Sequence, residues 1–108
     1  MKNFSSLIIL SALFISSNLF AQTPTWSEDI AAILYQHCTE CHNSNGVAPF
    51  ALESYLDAQI WSSSIVTNVI AKKMPPWPPV SDYCQYSNER VLSQYEIDKI
   101  VNWVSGGM

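Results

Sequence analysis

The residues Cys38-Thr39-Glu40-Cys41-His42 bring two thiols and an imidazole together within five positions. If this stretch is helical, Cys41 lies about 60° from Cys38 around the axis, and His42 lies about 40° from it on the other side. All three side chains then point to one face. The spacing matches the C-x-x-C-H pattern of covalent haem attachment. It predicts that Cys38 and Cys41 form thioethers with the two vinyl groups of one haem c, and that His42 binds its iron.

Two other chemistries use the same residue types. A redox-active C-x-x-C pair follows a strand and begins a helix, and we find no strand pattern before Cys38. A zinc ion could be bound by three cysteines and a histidine, here Cys38, Cys41, His42 and Cys84. Adjacent Cys41 and His42 are awkward ligands for one tetrahedral ion, and a second close pair of ligands is missing. The pattern therefore favours haem over both alternatives.

The N-terminus is typical of a secretory signal peptide. Lys2 provides the charged start, Leu7 to Phe20 form the apolar segment, and Ala21 precedes the expected cleavage before Gln22. The apolar segment is short for a bilayer span, so an uncleaved membrane anchor is the less favoured alternative. We therefore expect a signal peptide at residues 1–21, one domain at residues 22–108, a periplasmic location and no stable membrane insertion after cleavage.

The charge balance of residues 22–108 bears on possible partners. Four Lys and Arg side chains stand against nine Asp and Glu side chains, which leaves a formal charge of −5. So acidic a chain argues against nucleic acid as a partner. It favours partner proteins with a basic docking surface. We expect a monomer. Cys84 is an odd third cysteine, either a free, partly buried thiol or one paired between chains.

Helix signals recur along the chain, and no strand pattern does. Capping boxes predict three helix starts, at Thr25-x-x-Glu28, Ser54-x-x-Asp57 and Ser93-x-x-Glu96. The first helix carries an apolar stripe that runs into the haem motif: Trp26, Ile30, Ile33, Leu34, Cys38 and Cys41. The stretch after Ser54 predicts two short helices, because the apolar rhythm changes face at Ser62 to Ser64. The sequence predicts an all-α fold of four to five helices.

The sequence also predicts which side chains face the core and which residue ends the last helix. Leu56 and Ile60 are expected on the inner face of the second helix. In the last helix the expected inner face comprises Ile97, Ile100, Val101 and Val104, and Gly106 is the expected C′ residue.

Near the motif, His37 is expected at the surface or rim. Asn45-Gly46 predicts a turn. The Pro49 carbonyl is the expected acceptor for the second N–H of His42, unless Pro49 is a plain turn proline. The segment Lys72 to Pro79 is expected to be extended, with Trp77 closing the pocket against water.

Residues 22–108 as a whole resemble a single-haem bacterial cytochrome c domain. They are most similar to a periplasmic group that has an alanine-proline-phenylalanine loop and a later Met-Pro-Pro-Trp segment. Here these are Ala48-Pro49-Phe50 and Met74-Pro75-Pro76-Trp77, with the helix from Ser93 to Gly107 after them. The resemblance implies a cytochrome c-like fold around a covalently bound haem, with His42 and Met74 as the two axial iron ligands. Domains of this kind occur alone or attached to larger periplasmic redox enzymes.

The position of Met74 in the chain is consistent with that implication. Met1 would leave with the signal peptide, and Met108 follows a Gly-Gly pair. Met74 lies far enough after His42 for the chain to pass around a porphyrin, although methionine also serves as an ordinary core filler. Haem iron with His and Met ligands has no open position, so electron transfer is the expected function rather than catalysis. A haem domain of a larger enzyme is one alternative. A peroxidase or a gas-binding protein is another if Met74 is displaced.

Overall fold

The computed structural model describes residues 22–76 and 90–108. These residues form helices and no strand, which confirms the all-α prediction. A π-helical turn at Trp26–Ile30 leads into α1, and three further helices follow: α1 Ala31–His37, α2 Tyr55–Ile60, α3 Ser62–Ile70 and α4 Gln94–Ser105. The predictions for the signal peptide, Trp77 and Cys84 lie outside the described residues. None of the described helices is long and apolar enough to cross a membrane.

The first helical segment begins at Thr25, as predicted, but its cap differs from the predicted box. The Thr25 hydroxyl accepts a hydrogen bond from the Glu28 N–H at 3.3 Å. The Thr25 N–H donates to Asp29 Oδ2 at 3.0 Å rather than to Glu28. A π-helical turn contains an extra residue, so it brings the fourth residue after the cap to the place that the third occupies in an α-helix.

Helices α2 and α3 meet at a corner formed by Trp61. The capping box at Ser54 and Asp57 is complete, with hydrogen bonds in both directions. The prediction that two short helices follow Ser54 is confirmed. The prediction that Leu56 and Ile60 face inward is wrong, because they are 61% and 66% exposed and Ala58 is the buried residue of α2. In so short a helix apolar residues occupy several faces, and the corner decides which face meets the core.

The last helix begins and ends with complete caps. Ser93 and Glu96 form the predicted capping box, and both Leu92 and Ile97 of the predicted staple are buried. At its C-terminus Met108 N–H donates to Trp103 O at 3.0 Å and Gly107 N–H donates to Val104 O at 3.3 Å. This is a Schellman motif. Its left-handed residue is Gly107, with φ of 101°, and not Gly106 as predicted.

The core lies where α4 packs against the π-helical turn and against α3. Lys99 of α4 forms an ion pair with Asp29 at the first of these contacts. Trp103 is almost completely buried and replaces the predicted Val101 and Val104, which are only half-buried. The buried apolar residues are Ile30, Ile33, Leu34, Leu52, Ala58, Ile65, Val69, Leu92, Ile97, Ile100 and Trp103. Burying each large aliphatic side chain stabilises the fold by roughly 1.5–3 kcal/mol.

Candidate cofactor site

The C-x-x-C-H motif forms one helical turn directly after α1. The Cys38 N–H donates to Leu34 O at 2.8 Å, and the Cys41 and His42 N–H groups both donate to Cys38 O, at 3.1 and 2.9 Å. Helical geometry therefore continues through the motif, although α1 itself ends at His37. Cys38, Cys41 and His42 are partly buried, whereas Glu40 is exposed.

The loop after the motif folds back on it. The Ala48 N–H donates to Cys41 O at 3.1 Å, and the Leu52 N–H donates to His42 O at 2.9 Å. The predicted turn at Asn45-Gly46 lies between them, and Gly46 approaches the backbone of Cys41 so closely that a Cβ atom there would clash with the Cys41 carbonyl. Glycine is needed at this position because it has no Cβ.

The imidazole of His42 has a backbone acceptor, but not the expected one. His42 Nδ1 lies 3.0 Å from Phe50 O, so the carbonyl belongs to Phe50 and not to Pro49. A carbonyl only accepts hydrogen bonds, so Nδ1 carries a proton, and in the neutral imidazole Nε2 then keeps its lone pair. A metal-binding histidine generally has this arrangement, because the bond on one nitrogen orients the other toward the metal.

Met74 is positioned by the end of α3. The Lys73 N–H donates to Asn68 O at 2.9 Å and the Lys72 N–H donates to Val69 O at 3.1 Å, which forms a second Schellman motif. Lys72 is its left-handed residue, with φ of 53°. The Met74 N–H also donates to Asn68 O, at 3.3 Å. The chain therefore turns sharply at the end of α3 and brings Met74 to the same cavity as the motif.

The four residues singled out from the sequence line one apolar cavity of about 400 Å³. Cys38, Cys41 and His42 contribute from the motif, and Met74 contributes from the segment after α3. The remaining wall is mainly apolar and comes from the folded-back loop, from α3 and from the segments next to Met74 and Leu92. It comprises His37, Val47, Ala48, Pro49, Phe50, Leu52, Ser64, Ile65, Asn68, Val69, Pro75, Pro76 and Arg90.

The thiols of the motif lie in different electrostatic surroundings. Burial, with a smaller effect of the neighbouring Cys41, raises the pKa of the Cys38 thiol to about 11. Near Cys41, the guanidinium of Arg90 lies 4.0 Å from Sγ and forms an ion pair with Glu40 of the motif. Burial thus disfavours the thiolate form of Cys38, and Arg90 connects the segment before α4 to the motif.

His37 is buried, and the prediction that it lies at the surface or rim is wrong. It is 9% exposed, and its Nε2 lies 3.2 Å from Glu96 Oε1. The other carboxylate oxygen of Glu96 accepts from the Ser93 N–H and hydroxyl at 2.7 and 2.8 Å. One carboxylate therefore caps α4 and joins it to the residue before Cys38. The physical reason is that His37 continues the stripe of Ile30, Ile33 and Leu34, at spacings of seven, four and three residues.

These contacts make Glu96 a source of pH-dependent stability. Burial raises the pKa of the Glu96 carboxyl, but the hydrogen bonds from Ser93 and the nearby His37 together bring it below the ordinary value of 4.5. A carboxyl whose pKa is lower in the folded state stabilises the fold above its unfolded pKa. That stabilisation is lost as the pH falls from about 4.5 through the folded pKa.

We expect Glu96→Gln to lower the free energy of unfolding by about 1 kcal/mol at pH 7, because the amide cannot replace the carboxylate in both roles. At pH 3 the variant and the wild type should differ much less. Urea unfolding of both proteins between pH 3 and 7 measures this. Asp98→Asn, on the exposed face of the same helix, is the matched control and should change stability by under about 0.5 kcal/mol at either pH. A Glu96→Gln effect of the same size at pH 3 and pH 7 contradicts the assignment.

Within residues 22–76 and 90–108, no three His, Cys, Asp or Glu side chains converge to bind a metal ion. The alternative zinc set includes Cys84, which lies outside the described residues, so that set remains an untested hypothesis. Haem iron needs no such cluster, because the porphyrin supplies four of its ligands.

The residues of the cavity fit a covalently held haem. Two cysteines at C-x-x-C spacing lie beside a histidine whose Nδ1 is hydrogen-bonded and whose Nε2 is available. The thioether of Met74 lines the same cavity, and the wall between them is mostly apolar. A thioether and an imidazole together form a known axial ligand set for haem iron, and apolar walls suit a large flat macrocycle.

Arg90 and the Phe50 carbonyl also belong to the site, although no sequence pattern indicated them. The carbonyl and Arg90 have no local sequence signal, because both come to the site through the folding of loops. No family model matches the chain, and no curated protein and no solved structure matches it significantly.

Proposed function

We propose that this protein is a periplasmic electron-transfer cytochrome with one covalently attached haem c. Cys38 and Cys41 would hold the porphyrin through thioether bonds, and His42 and Met74 would bind the iron. The observation that carries the proposal is the single cavity lined by all four residues. The cavity brings together His42 and Met74, which are 32 positions apart in the chain. The resemblance to a cytochrome c domain implies a role for the same four residues.

The residues of the site favour electron transfer over catalysis. When bound, haem supplies a one-electron iron couple. His42 and Met74 would both bind the iron, which would leave no coordination position for a substrate. The Phe50 carbonyl holds the proton of His42 at Nδ1 and so keeps the imidazole in one tautomer. The mostly apolar wall would limit the contact of a bound haem with water, and a methionine ligand would raise the reduction potential.

The location and partners belong to the same proposal. The signal-like residues 1–21 support export to the periplasm, where haem attachment of this kind takes place. The acidic balance of the chain supports partner proteins with basic surfaces, and we propose a monomer that exchanges electrons through transient contacts.

The proposal is tested by producing the full chain in a bacterium that exports it and attaches haem c. We expect haem that survives acid-acetone extraction. The oxidised protein should have the weak red absorption band of Met-ligated ferric haem, and the reduced protein should not react with carbon monoxide. Extractable haem contradicts covalent attachment. Rapid carbon monoxide binding favours a peroxidase or a gas-binding protein instead.

Lys72 and Lys73 should influence electron exchange with charged reagents. Both are exposed, and Lys73 and Met74 donate to the same Asn68 carbonyl. At low ionic strength, Lys72→Glu with Lys73→Glu should slow oxidation of the reduced protein by the anion hexacyanoferrate(III) about tenfold. Near 1 M salt the difference should disappear, because charges are screened within about 3 Å. Stopped-flow mixing measures the rates.

The matched comparison uses the cationic oxidant tris(phenanthroline)cobalt(III), which should react faster with the same variant. The other role for the two lysines is to offset the haem propionates or to stabilise the C-terminus of α3. Unchanged rates with both reagents at low salt favour that role.

A further inference from the structure

Three aromatic rings lie in a row from the candidate cofactor site toward the surface. The His42 and Phe50 ring centroids are 4.6 Å apart, with an angle of 45° between the planes. The Phe50 and Trp61 centroids are 4.0 Å apart and the planes are nearly parallel, at 15°. Phe50 is therefore held between the proposed iron ligand and a tryptophan that is 37% exposed.

Trp61 is well placed to hold Phe50, because its backbone is anchored on both sides. The Trp61 N–H donates to the carbonyl of Asp57 in α2 at 3.1 Å. The Trp61 carbonyl accepts from the Ile65 N–H in α3 at 2.9 Å. The corner between the two helices is thus a rigid support for the indole. Ser62 and Ile65 next to this corner are buried.

Phe50 contributes more than its ring to the site. Its carbonyl accepts the Nδ1 proton of His42. The neighbouring chain is bonded to the motif at Ala48 and Leu52, but these two bonds leave the intervening peptides free to tilt. The stacking of Phe50 on Trp61 adds a restraint on this part of the loop, besides the packing of Phe50 against the core and the His42 ring.

We propose that Trp61 is a positioning residue for the iron ligand. By stacking on Phe50, Trp61 holds the carbonyl that orients His42 and raises the basicity of its imidazole. A more basic imidazole stabilises ferric over ferrous iron, so the stack lowers the reduction potential. This inference rests on the proposed function.

The test compares Trp61→Leu, which removes the ring but keeps apolar bulk, with Trp61→Phe, which keeps a ring. Both are made in the haem-loaded full chain. In Trp61→Leu we expect a higher reduction potential. The His42 Nδ1–H proton, followed by NMR in the reduced protein, should exchange with solvent several-fold faster. Trp61→Phe should restore both values toward those of the wild type.

Two controls separate positioning from simple stability. Ile60→Ala, at the same corner but highly exposed, should change neither the potential nor the exchange rate. In a Phe50→Leu background, Trp61→Leu should produce no further shift, because Trp61 acts through the Phe50 ring. Additive shifts overturn the inference. So does a Trp61→Leu protein that is less stable but has an unchanged or lower potential.

The inference and the proposed function fail in different ways. A wild-type protein without covalent haem, or without iron bound to His42, overturns both. Suppose that the wild-type protein has both features, but that the Trp61→Leu variant keeps the wild-type reduction potential and exchange rate. Only the role of Trp61 is then overturned.

Discussion

The double variant Cys38→Ala with Cys41→Ala should contain no haem after acid-acetone extraction. Each alanine removes one of the two thiols in the motif, so no thioether can form at either position. The variant should also be largely unfolded, because a domain of this size buries a limited apolar surface and a covalently held haem would supply a large part of its core.

The measurements are a haem stain after denaturing electrophoresis and circular dichroism of the purified protein. Cys84→Ser is the matched control, since it removes the remaining cysteine outside the motif. It should keep both the haem and the visible spectrum, and it should stay monomeric on non-reducing gels. Haem that resists extraction in the double variant rules out attachment at this motif. A wild-type dimer band that disappears in Cys84→Ser identifies a cross-link between chains.

The second large effect is expected for Met74→Ala. Haem should stay attached, because the motif is intact, but the ferric protein should lose its weak red absorption band. The reduction potential should fall by on the order of 0.1 V or more, since axial ligands change haem potentials over about 0.8 V and a thioether favours the reduced iron. The reduced variant should bind carbon monoxide at the position that the thioether leaves.

Spectra of both oxidation states, a redox titration and carbon monoxide addition measure these changes. Met108→Ala, which alters the methionine whose N–H closes the Schellman motif of α4, should behave as the wild type. If Met74→Ala keeps the red band and still does not bind carbon monoxide, another residue is the second axial ligand. Loss of the band together with loss of covalent haem would instead indicate that Met74 supports folding of the pocket.

Local patterns in the sequence determined the helix starts and the chemistry of the motif. Ser54 with Asp57 and Ser93 with Glu96 form their capping boxes as predicted, because the hydrogen bonds join residues three positions apart. The turn at Gly46 and the break between α2 and α3 were predictable for the same reason. The grouping of Cys38, Cys41 and His42 is also local, since it follows from their spacing along one turn of chain.

Helix faces were only partly predictable, because a periodic pattern defines a face and not its partner. His37 and Trp103 both continue apolar stripes, yet the polar ring of His37 was expected at the surface or rim and Trp103 was not assigned to the inner face of α4, and both are buried. Leu56 and Ile60 show the opposite case, since both are apolar and both are exposed. Burial depends on how α4 crosses the first helical segment and α3, and that packing involves residues more than 20 positions apart.

The tertiary structure alone decided which groups surround the motif. The acceptor for His42 is the Phe50 carbonyl, because two backbone bonds fold the loop back and Trp61 stacks on Phe50. Met74 reaches the cavity because a Schellman motif turns the chain at the end of α3. Arg90 reaches Cys41 and Glu40 from the segment before α4. Such contacts join distant segments, and backbone carbonyls have no sequence signature, so sequence patterns predict the reactive groups but not the contacts that orient them.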